Sequence, residues 1–267
     1  MRSYISFFKI RFINGLQYRS AAYAGIVTQF AWGFMYIMLY QAFYKSSSSK
    51  VPMDFRELSS YIWLQQAFLA LFMTWFLEND IFDLISSGNV AYELIRPLDL
   101  YNLWFTRNCA TRLAKAVLRC FPILIIAIFL PEPYRFHGPY SIESAIFFFI
   151  SMVLAFLLVV AYCMLIYIFT MYTISPMGIR MVLVMLADFL AGGLVPLPLL
   201  PDYFTKYINV LPFAFMQNTP FRIYSGNLPA RDCLKSILLQ LLWLALLVIL
   251  GKVIISRALK YVVVQGG

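Results

Sequence analysis

Charge is the first thing this chain is short of. Only 12% of its 267 residues are Asp, Glu, Lys or Arg, against 62% hydrophobic. Soluble domains run at about a quarter charged. The deficit excludes an ordinary soluble domain, because long stretches are apolar on every helical face and belong in lipid. Histidine is almost absent as well. His137 stands alone between prolines, with no Cys, Ser or acid pair at catalytic spacing, which argues against an intramembrane enzyme. The four cysteines, Cys109, Cys120, Cys163 and Cys233, lack metal-ligand spacing and read as packing residues, so no metal site is expected. There is no nucleotide-binding glycine-rich loop. Gly251-Lys252 falls inside an apolar run and lacks the earlier glycine of a phosphate loop. Acids deep in a span are reduced essentially to Asp188, which is thin equipment for coupling to an ion gradient. The net charge of +9 is spread between apolar runs rather than along one basic face, so no nucleic acid is expected as a partner.

What is present is a succession of apolar runs. They predict an all-α membrane protein of about six transmembrane helices, in one domain covering 1–267. Residues 1–20 read as a basic amphipathic helix lying in the membrane interface. Ile5, Phe8, Phe12 and Leu16 fall on one face, with Arg2, Ser6 and Lys9 on another. Spans are expected at 21–44, 58–77, 103–130, 142–173, 181–195 and 234–255. The first is too long for a signal-peptide core and has no small-residue cleavage site. The third starts wet, with Arg107, Arg112, Lys115 and Arg119 along it. The fourth, at 1.5 Å per residue, exceeds the roughly 30 Å hydrocarbon thickness and must tilt, kink or project. After the fifth, Pro196, Pro198 and Pro201 cannot continue a regular helix. They predict a broken, re-entrant outer segment.

Of the 21 Lys and Arg, 13 lie in the N-terminal segment, in 79–119, at Arg180 or at the C-terminal end. This bias places both termini and the 79–119 segment on the cytoplasmic side. The longest cytoplasmic connection, 79–100, predicts a helix between spans two and three that receives motion from a partner. Asp80 and Asp83 suit the positive end of its dipole. Ile81, Leu84 and Ile85 supply apolar contact, Glu93 and Arg96 supply polar register, and Pro97 ends the segment in an extended turn.

Three stretches carry a family resemblance. Gln17-Tyr18-Arg19-Ser20 leads into the first apolar run. Gly88-Asn89-Val90 precedes Leu94-Ile95-Arg96-Pro97-Leu98-Asp99. Gly192-Gly193-Leu194-Val195-Pro196 is followed by Leu200-Pro201, Leu211-Pro212-Phe213 and Tyr224-Ser225-Gly226. In this order and spacing the chain resembles the ABC type-2 permeases, the membrane subunits of bacterial ATP-binding cassette exporters. It is most similar to a subgroup that pairs two related permeases with one type of ATPase. The resemblance implies two ATPase subunits as partners, carrying ATP and Mg on their own chains, with no cofactor on this one. It also implies a second permease, identical or homologous, and a place in the bacterial cell membrane.

By the same resemblance, 79–100 docks on the ATPase, and Gly192, Gly193, Pro196, Pro198 and Pro201 help close the outer end of the path. An ordinary amphipathic surface loop and a plain outer loop are the competing readings of these two stretches. Asp188 fits a pathway residue or a structural pair with a polar neighbour. Phe30 and Phe34, with Trp32 and Tyr36, fit either a path for a large apolar molecule or lipid contact. The expected function is export of a hydrophobic or amphipathic substrate: a drug, an antimicrobial peptide or a lipid. A self-contained carrier or channel and a membrane scaffold are the alternatives.

Overall fold

In the computed structural model, residues 2–17, 19–46, 52–173 and 176–260 are described, and within them every regular element is helical. Tyr18, quoted above in the first resemblance stretch, lies outside the described residues. The helices are α1 (Arg2–Leu16), α2 (Arg19–Ser46), α3 (Phe55–Ala67), α4 (Leu69–Phe72), α5 (Asn79–Ser86), α6 (Val90–Leu94), α7 (Leu100–Ile128), α8 (Ile142–Thr170), α9 (Pro176–Leu190), α10 (Asp202–Ile208), α11 (Asn218–Ser225) and α12 (Ala230–Ala258).

The centre of the bundle is α8. Its 29 residues hold no charge after Glu143, and Val159, Val160, Ala161, Cys163, Met164 and Ile166 are all wholly buried. Ser141 caps its start by accepting from the Ser144 N–H at 3.0 Å. Around it pack α7, α9, α11 and α12. On the far side α2 reaches α3 through Gly33, where an added Cβ would stand 2.7 Å from the Trp63 ring. Such a close approach suits helices that associate by packing within lipid. The outer surfaces of α2 and α12 expose Val27, Met38, Leu39, Leu238, Leu242 and Ile249, as lipid-facing helices do.

Three helices are long and apolar enough to cross a membrane: α2, α8 and α12. The other expected spans depart from a simple apolar rod. Residues 58–77 do not form one helix, since α3 stops at Ala67, α4 adds a single turn and 73–78 is non-helical. In α7, 29 residues long, four cations interrupt the apolar run. The fifth helix, α9, has 15 residues, about 22 Å at 1.5 Å per residue.

Hydrogen bonds sort the connections into two ends. At one, the Asp99 N–H donates to Tyr4 Oη at 2.9 Å, Arg180 to Asn79 Oδ1 at 3.0 Å and Tyr172 Oη to the Ile254 carbonyl at 3.2 Å. This end gathers α1, α5, the start of α9 and the end of α12. At the other, Asn227 Nδ2 donates to the Pro52 carbonyl at 3.1 Å. Tyr224 Oη donates to the His137 carbonyl at 3.0 Å, and the His137 N–H to Ser60 Oγ at 3.1 Å.

Candidate functional site

The non-helical stretch 73–78 leaves backbone groups exposed inside a packed bundle, and an unsatisfied buried group is costly. Two charged side chains from other helices meet that demand. Arg112 of α7 is 2% exposed. Its Nη1 donates to the Leu71 and Met73 carbonyls at 3.1 and 2.9 Å, and more weakly to Ala70 at 3.3 Å. Its Nη2 donates to the Phe76 carbonyl at 2.8 Å and to Cys163 Sγ at 3.1 Å, while Nε holds Asn108 Oδ1 at 2.6 Å. The five-donor guanidinium fork is thereby spent on the end of a broken helix. From the opposite side, Asp188 Oδ1 accepts from the Thr74 N–H at 3.3 Å and from Thr74 Oγ1 at 2.7 Å. A cation thus takes the carbonyls and an anion takes the amide of one stretch. Tyr167 of α8 completes it by accepting from the Glu78 N–H at 2.7 Å and from Asn108 Nδ2 at 3.1 Å.

Asp188 therefore has a polar neighbour, Thr74. It also faces a cavity of about 310 Å³ between α2, α3 and α9, together with Gln29, Trp32, Tyr36, Gln66 and Trp75. Gln29 and Gln66 are buried, and their Oε1 atoms have no partner among the described residues. Phe30 and Phe34, expected beside a path, pack against Trp63 with ring centroids 5.4 and 5.6 Å away and do not line this cavity. The 3.6-residue period puts them on the core side of α2 and gives the cavity to Trp32 and Tyr36.

At the coupling segment the expected residues divide. Ile81 is wholly buried, and neighbouring Phe82 sits 5.0 Å from the Tyr167 ring. The face of α5 expected to meet a partner through Ile81 is needed to hold α5 on α8, so Ile81 offers no partner contact. Leu84 and Ile85 are half-buried. Asp80 is bound by Arg107 Nη2 at 2.6 Å, with Glu78 3.5 Å from the same guanidinium. Glu93 accepts from Trp104 Nε1. These bonds tie α5 and α6 to α7. Gly88, at φ 73°, makes the turn between them. Exposed from the expected set are Asp80, although it is paired, and Asp83, Arg96 and Pro97, joined by Tyr92, Leu94 and Ile95. The last three were not in the expected set. They lie in the resemblance stretch, and their apolar side chains on a chain connection were the available signal.

The segment after α9 begins with a helix end of defined type. The Gly192 N–H donates to the Phe189 carbonyl at 3.2 Å and the Gly193 N–H to the Asp188 carbonyl at 2.8 Å, with Gly192 at φ 79°. Gln65 Nε2 donates to the Gly193 carbonyl at 2.8 Å. Pro196 opens a 3-10 turn, Leu197–Leu199, which contains Pro198, and Pro201 precedes α10. Buried Leu197 packs with Ile208 and Ala214, folding the segment back on itself. No cluster of three or more metal-ligating side chains occurs among the described residues.

The described residues form a helical bundle with three helices long and apolar enough to cross a membrane, a pinned break in one helix and a tethered connection at one end. The family follows from comparison. Residues 30–266 match the model of a family described as ABC-2 family transporter protein, and the chain belongs to that family. Its members are ABC permeases that generally work with ATP-binding cassette ATPases. No curated protein and no solved structure matches the chain.

Proposed function

We propose that this permease exports a hydrophobic or amphipathic molecule, driven by two ATPase subunits that bind the exposed edge of residues 79–99. The observation that carries the reading is the tethering of this stretch. Its outward residues, Asp83, Tyr92, Ile95 and Arg96, sit on a support bonded to α7 through Arg107 and Trp104 and to α8 through Tyr167. A push on it must move both helices, because coupling needs a contiguous contact. ATP and Mg belong to the partner. Purified alone, the chain should not hydrolyse ATP.

In this reading α2, α3–α4, α7, α8, α9 and α12 are the six spans of a bacterial cell-membrane protein. The end bearing α1, α5 and α6 is cytoplasmic, and Pro196, Pro198 and Pro201 lie toward the outer mouth. A second permease, identical or homologous, completes the path, and the cavity beside Asp188 faces it. Trp32, Tyr36 and Trp75 offer apolar contact there, while Gln29 and Gln66 offer acceptors. An ion-driven carrier is disfavoured because the Asp188 carboxylate already holds Thr74. Cysteine labelling from outside intact cells, in a background without the native thiols, tests the orientation. Position 137 should be modified and position 92 should not. Labelling of position 92 overturns the arrangement.

A further inference from the structure

A second cavity, of about 460 Å³, lies at the α1 end of the bundle, enclosed by α1, the start of α2 and α7. It is unlike the first in charge. Arg11, Lys115 and Arg119 face it, with Asn14 and Thr111 as neutral polar groups. The carboxylates that also face it, Glu78 and Asp80, are engaged with Arg107. Among the described residues, Arg11, Lys115 and Arg119 take part in no ion pair. Arg119 Nη2 reaches only the Ala21 carbonyl, at 3.4 Å, and its buried Nε has no partner. Burial, and then the nearby Arg107, push the Arg11 guanidinium below its usual pKa, while Glu78, Asp80 and Glu93 act the other way.

The site is built rather than incidental. The Arg119 guanidinium occupies the space a Cβ on Gly25 would take, 2.6 Å from its central carbon. A Cβ on Gly15 would stand 2.6 Å from the Ala114 Cβ. Glycine on α2 makes room for the arginine, and glycine on α1 lets that helix close on α7. Arg11 stands over the Phe7 ring at 5.5 Å and Lys115 over the Phe76 ring at 5.3 Å, yet four cations, with Arg107, face two carboxylates here, and the excess positive charge favours an anion. Immediately beside the recess, Tyr23 and Val27 of α2 and Val117 and Phe121 of α7 are exposed, a surface suited to acyl chains in a membrane protein.

We infer that this recess binds the phosphodiester headgroup of an anionic phospholipid, clamped by Arg11, Lys115 and Arg119 while its acyl chains lie along α2 and α7. The lipid would bridge the interfacial helix to the third span, in the manner of basic pockets between membrane helices. The leaflet assigned to it rests on the orientation proposed above, but binding does not.

The test uses the full chain purified in detergent and native mass spectrometry, with phosphatidylglycerol and phosphatidylcholine offered in parallel. Phosphatidylglycerol should be retained in preference. Lys115→Gln with Arg119→Gln should lower its retention about thirtyfold and leave phosphatidylcholine unchanged. Gly25→Ala, which displaces the guanidinium without removing charge, should lower it too, whereas Arg119→Lys should retain part of it. Thermal unfolding without added lipid identifies variants that are merely misfolded, and Arg11→Gln on α1 supplies a change outside the helix core. Equal retention of the two lipids, unchanged phosphatidylglycerol retention in every folded variant, or its complete displacement by millimolar inorganic phosphate overturns the proposal. Because this readout needs neither transport nor a particular orientation, its failure leaves the exporter reading untouched.

Discussion

Two neighbouring stretches answer the same demand in opposite ways. In α8, 29 residues satisfy their backbone internally and fill the bundle with apolar side chains. Over 73–78 the chain abandons the helix, and several of its carbonyls and amides are met from outside by Arg112, Asp188 and Tyr167. The difference teaches where movement is cheap. Interrupting α8 breaks its own ladder in a fully packed core. The broken stretch instead hangs on a few long-range side-chain bonds, the kind of element that can hold two discrete arrangements. It lies directly before the tethered segment 79–99 and beside the cavity at Asp188.

The contrast breaks most completely at the arginine. Arg112→Leu takes the side-chain donor from the carbonyls of Leu71, Met73 and Phe76, leaving Met73 only the Phe76 N–H at 3.4 Å, and should cost about 3–5 kcal/mol. Thermal unfolding in detergent should show little folded protein. A wild-type melting curve means that the break is not held by Arg112. Removing the anion is milder. Asp188→Ala should cost about 1–3 kcal/mol, whereas Asp188→Asn, which keeps an acceptor for Thr74, should cost less. If the two variants unfold alike, the Thr74 bonds carry no weight, and reduced transport by stable Asp188→Asn would point to substrate contact. Smaller again is Gly192→Ala. It places a Cβ at φ 79°, at about 1–2 kcal/mol, and should loosen the end of α9 without unfolding the chain. An unchanged melting temperature argues that the turn relaxes. The smallest effect on stability belongs to Ile95→Asp with Arg96→Ala, at exposed positions where about 0.5 kcal/mol is usual. Transport by the complete complex should nonetheless be lost. Normal transport separates this edge from coupling.

Much of the helix order was legible. The apolar runs at 21–44, 142–173 and 234–255 fall on α2, α8 and α12, because a continuous apolar run with charges or prolines at its ends leaves few alternatives. Pro196 and Pro198 marked an interruption after the fifth span by backbone chemistry that needs no tertiary contact, but the expected span ran to 195, whereas α9 covers Pro176–Leu190 and ends at the Gly192 turn. The break after Ala67 was not legible. Residues 58–77 contain neither glycine nor proline, and the interruption is stabilised by residues far away in sequence. For the same reason Arg112 read as part of a wet start to α7. Nothing local distinguishes an arginine facing water from one spent on four carbonyls. Ile81 was misjudged because its pattern marks an amphipathic helix without saying whether its apolar face meets a partner or its own chain.

The central claim is that drive from the ATPase enters through residues 79–99. A photo-crosslinker placed singly at positions 83, 92 and 95, at 5 and 10 on α1, and at 256 on α12 tests it most directly in the assembled complex with its ATPase. The account predicts crosslinks to the ATPase from 83, 92 and 95. Crosslinks confined to α1 or the end of α12, with none from 79–99, would contradict it.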